Sequence, residues 1–138
     1  MAAYMYTLPF RIPNIYGGFG QVKGLLKVDK ESLSFDFQSE DAILGLLKSQ
    51  PRVERIPIRE VESAEVKTSL FSRKLILRFY KLETLEAFPQ VSGDKRAGEL
   101  QLRVKRGDKE RALKIESYVN LRISEIRLDS FDQDDMYI

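Results

Sequence analysis

Apolar and polar residues alternate with a period of two through the middle of the chain. Leu33, Phe35 and Phe37 alternate with Ser34, Asp36 and Gln38, and Ala64, Val66, Thr68 and Leu70 with Ser63, Glu65, Lys67 and Ser69. Leu75, Leu77 and Phe79 repeat the pattern, as do Leu100, Leu102 and Val104 against Gln101, Arg103 and Lys105. Each such segment predicts a strand with one buried and one wet face. A series of them predicts an antiparallel sheet curled over its own core. The expected strands are 22–29, 32–38, 53–57, 62–69, 74–80, a weaker piece at 85–88, and 99–105, about seven in all. Lys30 and Glu31 make the link between the first two short enough for a hairpin. Pro57 cannot donate to a ladder, which predicts an edge or an end for its strand.

After Arg106 the period changes to that of a helix. Gly107 stops the strand, Asp108 is placed to cap the first free amides, and Glu110 suits the first turn. Ala112, Ile115, Val119, Ile123 and Ile126 then form one stripe. They predict a helix of about twenty residues lying on the sheet. The expected organisation is an N-terminal arm (1–20), one domain (21–128) and an acidic, disordered tail (129–138).

The order of these elements, and the local sequences GLLKVDKESLSFDF, RIPIREVESAEVK, KLILRFY and GELQLRVKRGDKERALKIESYVNLRISE, resemble bacterial pleckstrin-homology-like (PH-like) domains over 18–128. The resemblance implies a mainly β (α+β) fold, a PH-like barrel of about seven antiparallel strands closed by one long C-terminal amphipathic helix. It implies a scaffold and not an activity, because such domains bind phosphoinositides in some cases and peptides or proteins in many. Phosphoinositide-binding members gather bases in the first two strands. Lys23, Lys27 and Lys30 match those positions, but Asp29, Glu31 and Asp36 lie among them and argue against inositol phosphates.

Composition narrows the function further. The 138 residues hold 23 Lys plus Arg against 21 Asp plus Glu, a net charge of +2, with no His, Cys or Trp. Without imidazole or thiol, the commonest general base, the nucleophilic relays and the usual metal ligands are missing. A non-enzyme with no metal or cofactor is expected. No apolar run approaches the length of a spanning helix and no leader pattern is present, so a cytoplasmic protein is expected.

Several features invite sharper readings. Gly17, Gly18, Gly20 and Gly24 precede a strand and not a helix, which favours close backbone packing over a dinucleotide loop. The acidic tail lacks the spacing of a Ca²⁺ loop. Lys67, Arg73, Lys74, Arg78 and Lys81, together with Arg103, Lys105, Arg106, Lys109, Arg111 and Lys114, would make one side positive if the two segments are neighbours. Aromatic residues do not interleave with these bases, so nucleic acid is disfavoured. Apolar residues also fall where water is expected: Leu121 and Leu128 opposite the helix stripe, Ile76 and Tyr80 beside Arg78, and the run Ile43, Leu44, Leu46, Leu47. Cover by the aromatic N-terminal arm, Tyr4 to Tyr16, would hide them.

The expected function is therefore non-catalytic protein interaction or self-association as a homo-oligomer, through Leu121, Leu128, Ile76 and Tyr80. The alternative is a peripheral module that contacts anionic lipid through Lys23, Lys27, Lys30, Lys74, Arg78, Arg103 and Lys105.

Overall fold

The computed structural model describes residues 4–15, 20–41, 50–88 and 98–135. The run from Ile43 to Leu47 and the glycines Gly17 and Gly18 lie outside them. The chain forms β1 (Tyr6–Ile15), β2 (Gly20–Val28), β3 (Ser32–Asp41), β4 (Arg52–Pro57), β5 (Val61–Thr68), β6 (Arg73–Phe79), β7 (Glu99–Arg103) and α1 (Lys109–Asp135). The strands make one antiparallel sheet in the order β4-β3-β2-β1-β7-β6-β5. The expected mainly β fold, with one long C-terminal helix, is the fold observed.

Two of the expected strand assignments change. The segment 85–88 falls in a short 3-10 helix, Leu82–Ala87, which delivers Phe88 into the core. The missing strand comes from the N-terminal segment, which is not an arm: Leu8, Phe10 and Ile12 alternate with Pro9, Arg11 and Pro13 as β1. This strand pairs with β2 from Tyr6↔Val28 to Ile15↔Gly20 and with β7 at Arg11↔Arg103. Pro9 and Pro13, two residues to either side of Arg11, lack the donors that a longer β1·β7 ladder would use.

Alternation fills the core as expected in β3, β6 and β7. Leu8, Phe10, Ile12, Val22, Leu26, Leu33, Phe35, Leu75, Leu77, Leu100 and Leu102 are buried in one cluster with Ala112, Ile115, Val119 and Ile123 of α1. Removal of each large side chain from water contributes roughly 2 kcal/mol. Phe35 and Phe88 meet edge to face at 5.1 Å, and Phe37 stacks on Phe88 at 5.1 Å. Gly24 is required here: a Cβ would lie 2.5 Å from Phe10 Cζ and 2.7 Å from the Asp36 carbonyl oxygen.

The sheet is not a closed barrel, since β4 and β5 stand at its two ends. Pro57 accordingly sits on an edge strand. The free edge of β5 is covered by α1. Asn120 accepts from the Ala64 backbone N–H through Oδ1 (3.0 Å) and donates to the Ala64 carbonyl through Nδ2 (2.8 Å). The Glu116 carboxylate accepts from the Val66 N–H. These side chains take the place of a neighbouring strand. On its other flank, Arg122 Nε donates to the Lys30 carbonyl (2.9 Å), so the helix is also tied to the β2–β3 turn.

That turn is built by Asp29, a buried carboxylate. Its Oδ1 accepts from the backbone N–H of Glu31 (2.8 Å) and of Ser32 (2.7 Å), and the Ser32 hydroxyl also donates to the carboxylate. Arg55 stands 3.5 Å away. Burial alone would raise the Asp29 pKa, but these hydrogen bonds and the Arg55 charge outweigh it and hold the group below its ordinary 3.8.

The edge cover and the turn can each be tested by one substitution. Asn120→Leu strands one donor and one acceptor of Ala64 beneath the helix, and is expected to lower stability by about 1–3 kcal/mol, read as a lower urea midpoint at unchanged slope. An unchanged midpoint would mean that water serves the β5 edge equally well. For Asp29 the folded pKa lies below the unfolded one, so its contribution is full above about pH 4 and disappears as pH falls through the folded value. Asp29→Asn is thus expected to destabilise at neutral pH, with the gap between variant and parent closing in acid; a gap that stays constant in melts down to acidic pH would contradict the assignment.

Candidate interaction surface

The helix α1 carries two apolar stripes. The first, Ala112, Ile115, Val119 and Ile123, with Ile126 partly buried, is the core face expected from the spacing. The helix then runs on to Asp135, beyond the about twenty residues expected and into the segment expected to be a disordered tail. That extra length completes a second stripe. At 100° per residue Leu113, Leu121, Leu128 and Phe131 fall within roughly 80° of one another, on the side facing away from the core. Their exposures are 39%, 57%, 64% and 70%. Ser117 and Ser124 lie on the same strip. From Leu113 to Phe131 it is about 27 Å long.

Sequence reasoning identified Leu121 and Leu128 but missed Leu113 and Phe131. The signal for Leu113 was its spacing of eight from Leu121; Phe131 was lost because the helix was expected to stop early. Beside the N-terminal half of the stripe is a shallow groove lined by Tyr6, Leu113, Lys114, Ser117, Tyr118 and Leu121. Tyr6 and Tyr118 meet edge to face at 5.6 Å there. Because residues 6–15 are a strand of the sheet, they do not fold over the stripe as an arm would.

Tyr80 is exposed, and its hydroxyl accepts from Arg127 of α1, which places it beside the C-terminal half of the stripe. Ile76 is a correction: it shares the outer face of β6 with Arg78, as the alternation requires, yet it is only 2% exposed. Its cross-strand partners are Glu65 and Gln101. Charged and polar side chains close above it: Arg78 pairs with Glu99 (3.3 Å) and Glu65 (3.5 Å), and Lys74 donates to Gln101 (3.3 Å). Long polar side chains bury apolar surface under their stems. Ile76 is therefore not available as a docking residue.

Of the bases expected on a lipid-binding face, Lys74, Arg103 and Lys23 stand in one row across the sheet, Lys74 opposite Arg103 and Arg11 between Arg103 and Lys23. Lys23 pairs with Glu40 (3.1 Å), and Lys27 pairs with Asp36 (2.7 Å) and lies over the Tyr4 ring. The hydrogen bond to Asp36 raises the Lys27 pKa above its ordinary 10.5 despite slight desolvation. Arg78 is committed to its carboxylates, whereas Lys30 and Lys105 are exposed and enter no ion pair among the described residues. Arg103 is partly buried and its Nε has no hydrogen-bond partner among the described residues.

Among the described residues, no three potential metal ligands come together and no helix is long and apolar enough to cross a membrane. Compared with protein families, curated proteins and solved structures, the chain matches none of them.

Proposed function

We propose that the chain is a PH-like domain of bacterial type whose role is non-catalytic, and that it associates with a second copy of itself through the outer stripe of α1. The observation that carries this reading is the continuous exposure of Leu113, Leu121, Leu128 and Phe131 on a helix whose opposite side is already packed in the core. Such a strip is longer than scattered surface leucines need be, and a contiguous apolar ridge on a small domain is a common mark of an interface.

The same surface on two copies meets by a two-fold axis without leaving an unmatched patch. Ser117 and Ser124, being small, let two helices approach closely between the leucines. Each large apolar side chain withdrawn from water contributes up to roughly 2 kcal/mol, so eight across the two-fold supply a term of the same order as the entropic cost of association. The PH-like assignment is supported by the strand order, in which β1 joins the two halves of the sheet, and by the C-terminal helix laid over the open side. A broad basic lipid face has less support, since Lys23, Lys27 and Arg78 already face carboxylates.

Sedimentation at several concentrations tests the reading. The parent is expected to show a mass that rises to that of a dimer, with little dependence on salt, and Leu121→Lys with Leu128→Lys is expected to remain a monomer that melts like the parent. A parent that stays monomeric at high concentration, or a double variant with unchanged oligomeric mass, would remove this interface.

A further inference from the structure

The most exposed large apolar side chains of the described residues are not on the helix. Leu70 and Phe71, 80% and 88% exposed, stand at the tip of the turn between β5 and β6. The alternation of β5 had placed Leu70 on the core face, but the strand ends at Thr68 and the chain reverses.

The turn is closed by hydrogen bonds between its two serines. The Ser69 N–H donates to the Ser72 carbonyl (2.7 Å), the two hydroxyls are 2.9 Å apart, and the Ser72 N–H donates to Ser69 Oγ (3.1 Å). A serine clasp of this kind presents the two apolar side chains outward instead of letting them fold back on the sheet.

Bases collar the tip. The register runs Lys67↔Lys74 and Lys74↔Arg103, then Arg103↔Arg11, so four bases stand in one row across β5, β6, β7 and β1. Like charges set directly opposite one another repel. Glu65, 3.6 Å from Lys67, is the only carboxylate that pairs with any of the four among the described residues, and Arg103 Nε is unpartnered. The Val104 N–H donates to the Arg73 carbonyl (2.9 Å), which brings the exposed Lys105 and Arg106 up to the base of the turn. The row from Lys67 to Arg11 lies two residues behind the clasp, about 7 Å at the rise of a strand.

We infer that the β5–β6 turn docks on an anionic membrane surface, with Leu70 and Phe71 entering the boundary between headgroups and acyl chains and Lys67, Lys74, Arg103, Lys105 and Arg106 meeting lipid phosphates. Two side chains on a protruding turn offer far too little area for a stable protein interface, which takes on the order of 800 Å² from each partner. They suit a fluid surface that closes around them. The depth also fits: apolar groups of interfacial proteins sit about 5–10 Å into this boundary, which leaves the basic row at the level of the phosphates. Each base near such a surface strengthens binding roughly fivefold at low salt. This contact uses a different surface from the helix stripe and stands independently of self-association.

The chain has no Trp, so Phe71→Trp supplies a single fluorescent reporter at the tip. On vesicles of phosphatidylcholine with about a third phosphatidylserine, its emission is expected to shift to the blue at about 50 mM salt, and to revert as salt rises to about 500 mM. Vesicles of phosphatidylcholine alone are expected to give no shift. In flotation without the reporter, Leu70→Ser with Phe71→Ser is expected to weaken binding to the anionic vesicles roughly tenfold or more while melting like the parent. A reporter whose emission stays unshifted at low salt and saturating anionic lipid would overturn the inference, as would a serine double variant that floats like the parent.

Discussion

Among the described residues the sheet has seven strands and no closing ladder, and the rest of the structure answers that one constraint. A strand edge beneath a helix would leave backbone donors and acceptors away from water, at a cost comparable to a lost hydrogen bond for each. Asn120 resolves this for Ala64 because a carboxamide carries both an acceptor and a donor and so imitates the edge of another strand. Glu116 does the same for one further N–H. The apolar stripe of α1 supplies affinity between helix and sheet, while these polar side chains fix where along β5 the helix sits. Arg122 then ties the helix to the β2–β3 turn, which is itself ordered by Asp29. Helix position, strand edge and turn thus depend on one another.

A helix fixed in this way has its remaining faces committed to water or to a partner. In α1 the outer side is not the charged surface that a solvated helix usually presents, because Leu113, Leu121, Leu128 and Phe131 interrupt it. The core does not need them. The length of the helix matters as much as its composition: without the turns after Leu128 the stripe would be short, and Phe131 would not belong to it.

Charge on the outer face of the sheet divides into two regimes. Around Ile76, acids and bases alternate across β5, β6 and β7, and the resulting network acts as a cover for an apolar residue. One row further toward the β5–β6 turn, the register sets base beside base. A sequence with nearly balanced charge can therefore hold a local concentration of one sign, and here it adjoins the most exposed apolar tip of the described chain.

Much of this was legible in the sequence. Alternation identified the core residues of β3, β6 and β7 and Ala64 of β5, and the spacing Ala112, Ile115, Val119, Ile123 identified the packed face of the helix, because side-chain direction is a local property of strand and helix geometry. The edge position of Pro57 followed from its missing donor. Other features depended on contacts between segments distant along the chain. Pro9 and Pro13 obscured β1, which exists because β2 pairs along its length. Ile76 obeyed its alternation and is buried all the same, because Glu65, Arg78, Glu99 and Gln101 arrive from three strands. Phe131 joined Leu121 and Leu128 only once the end of the helix was known. Periodicity decides which way a side chain points, and only the tertiary structure decides what, if anything, lies there to meet it.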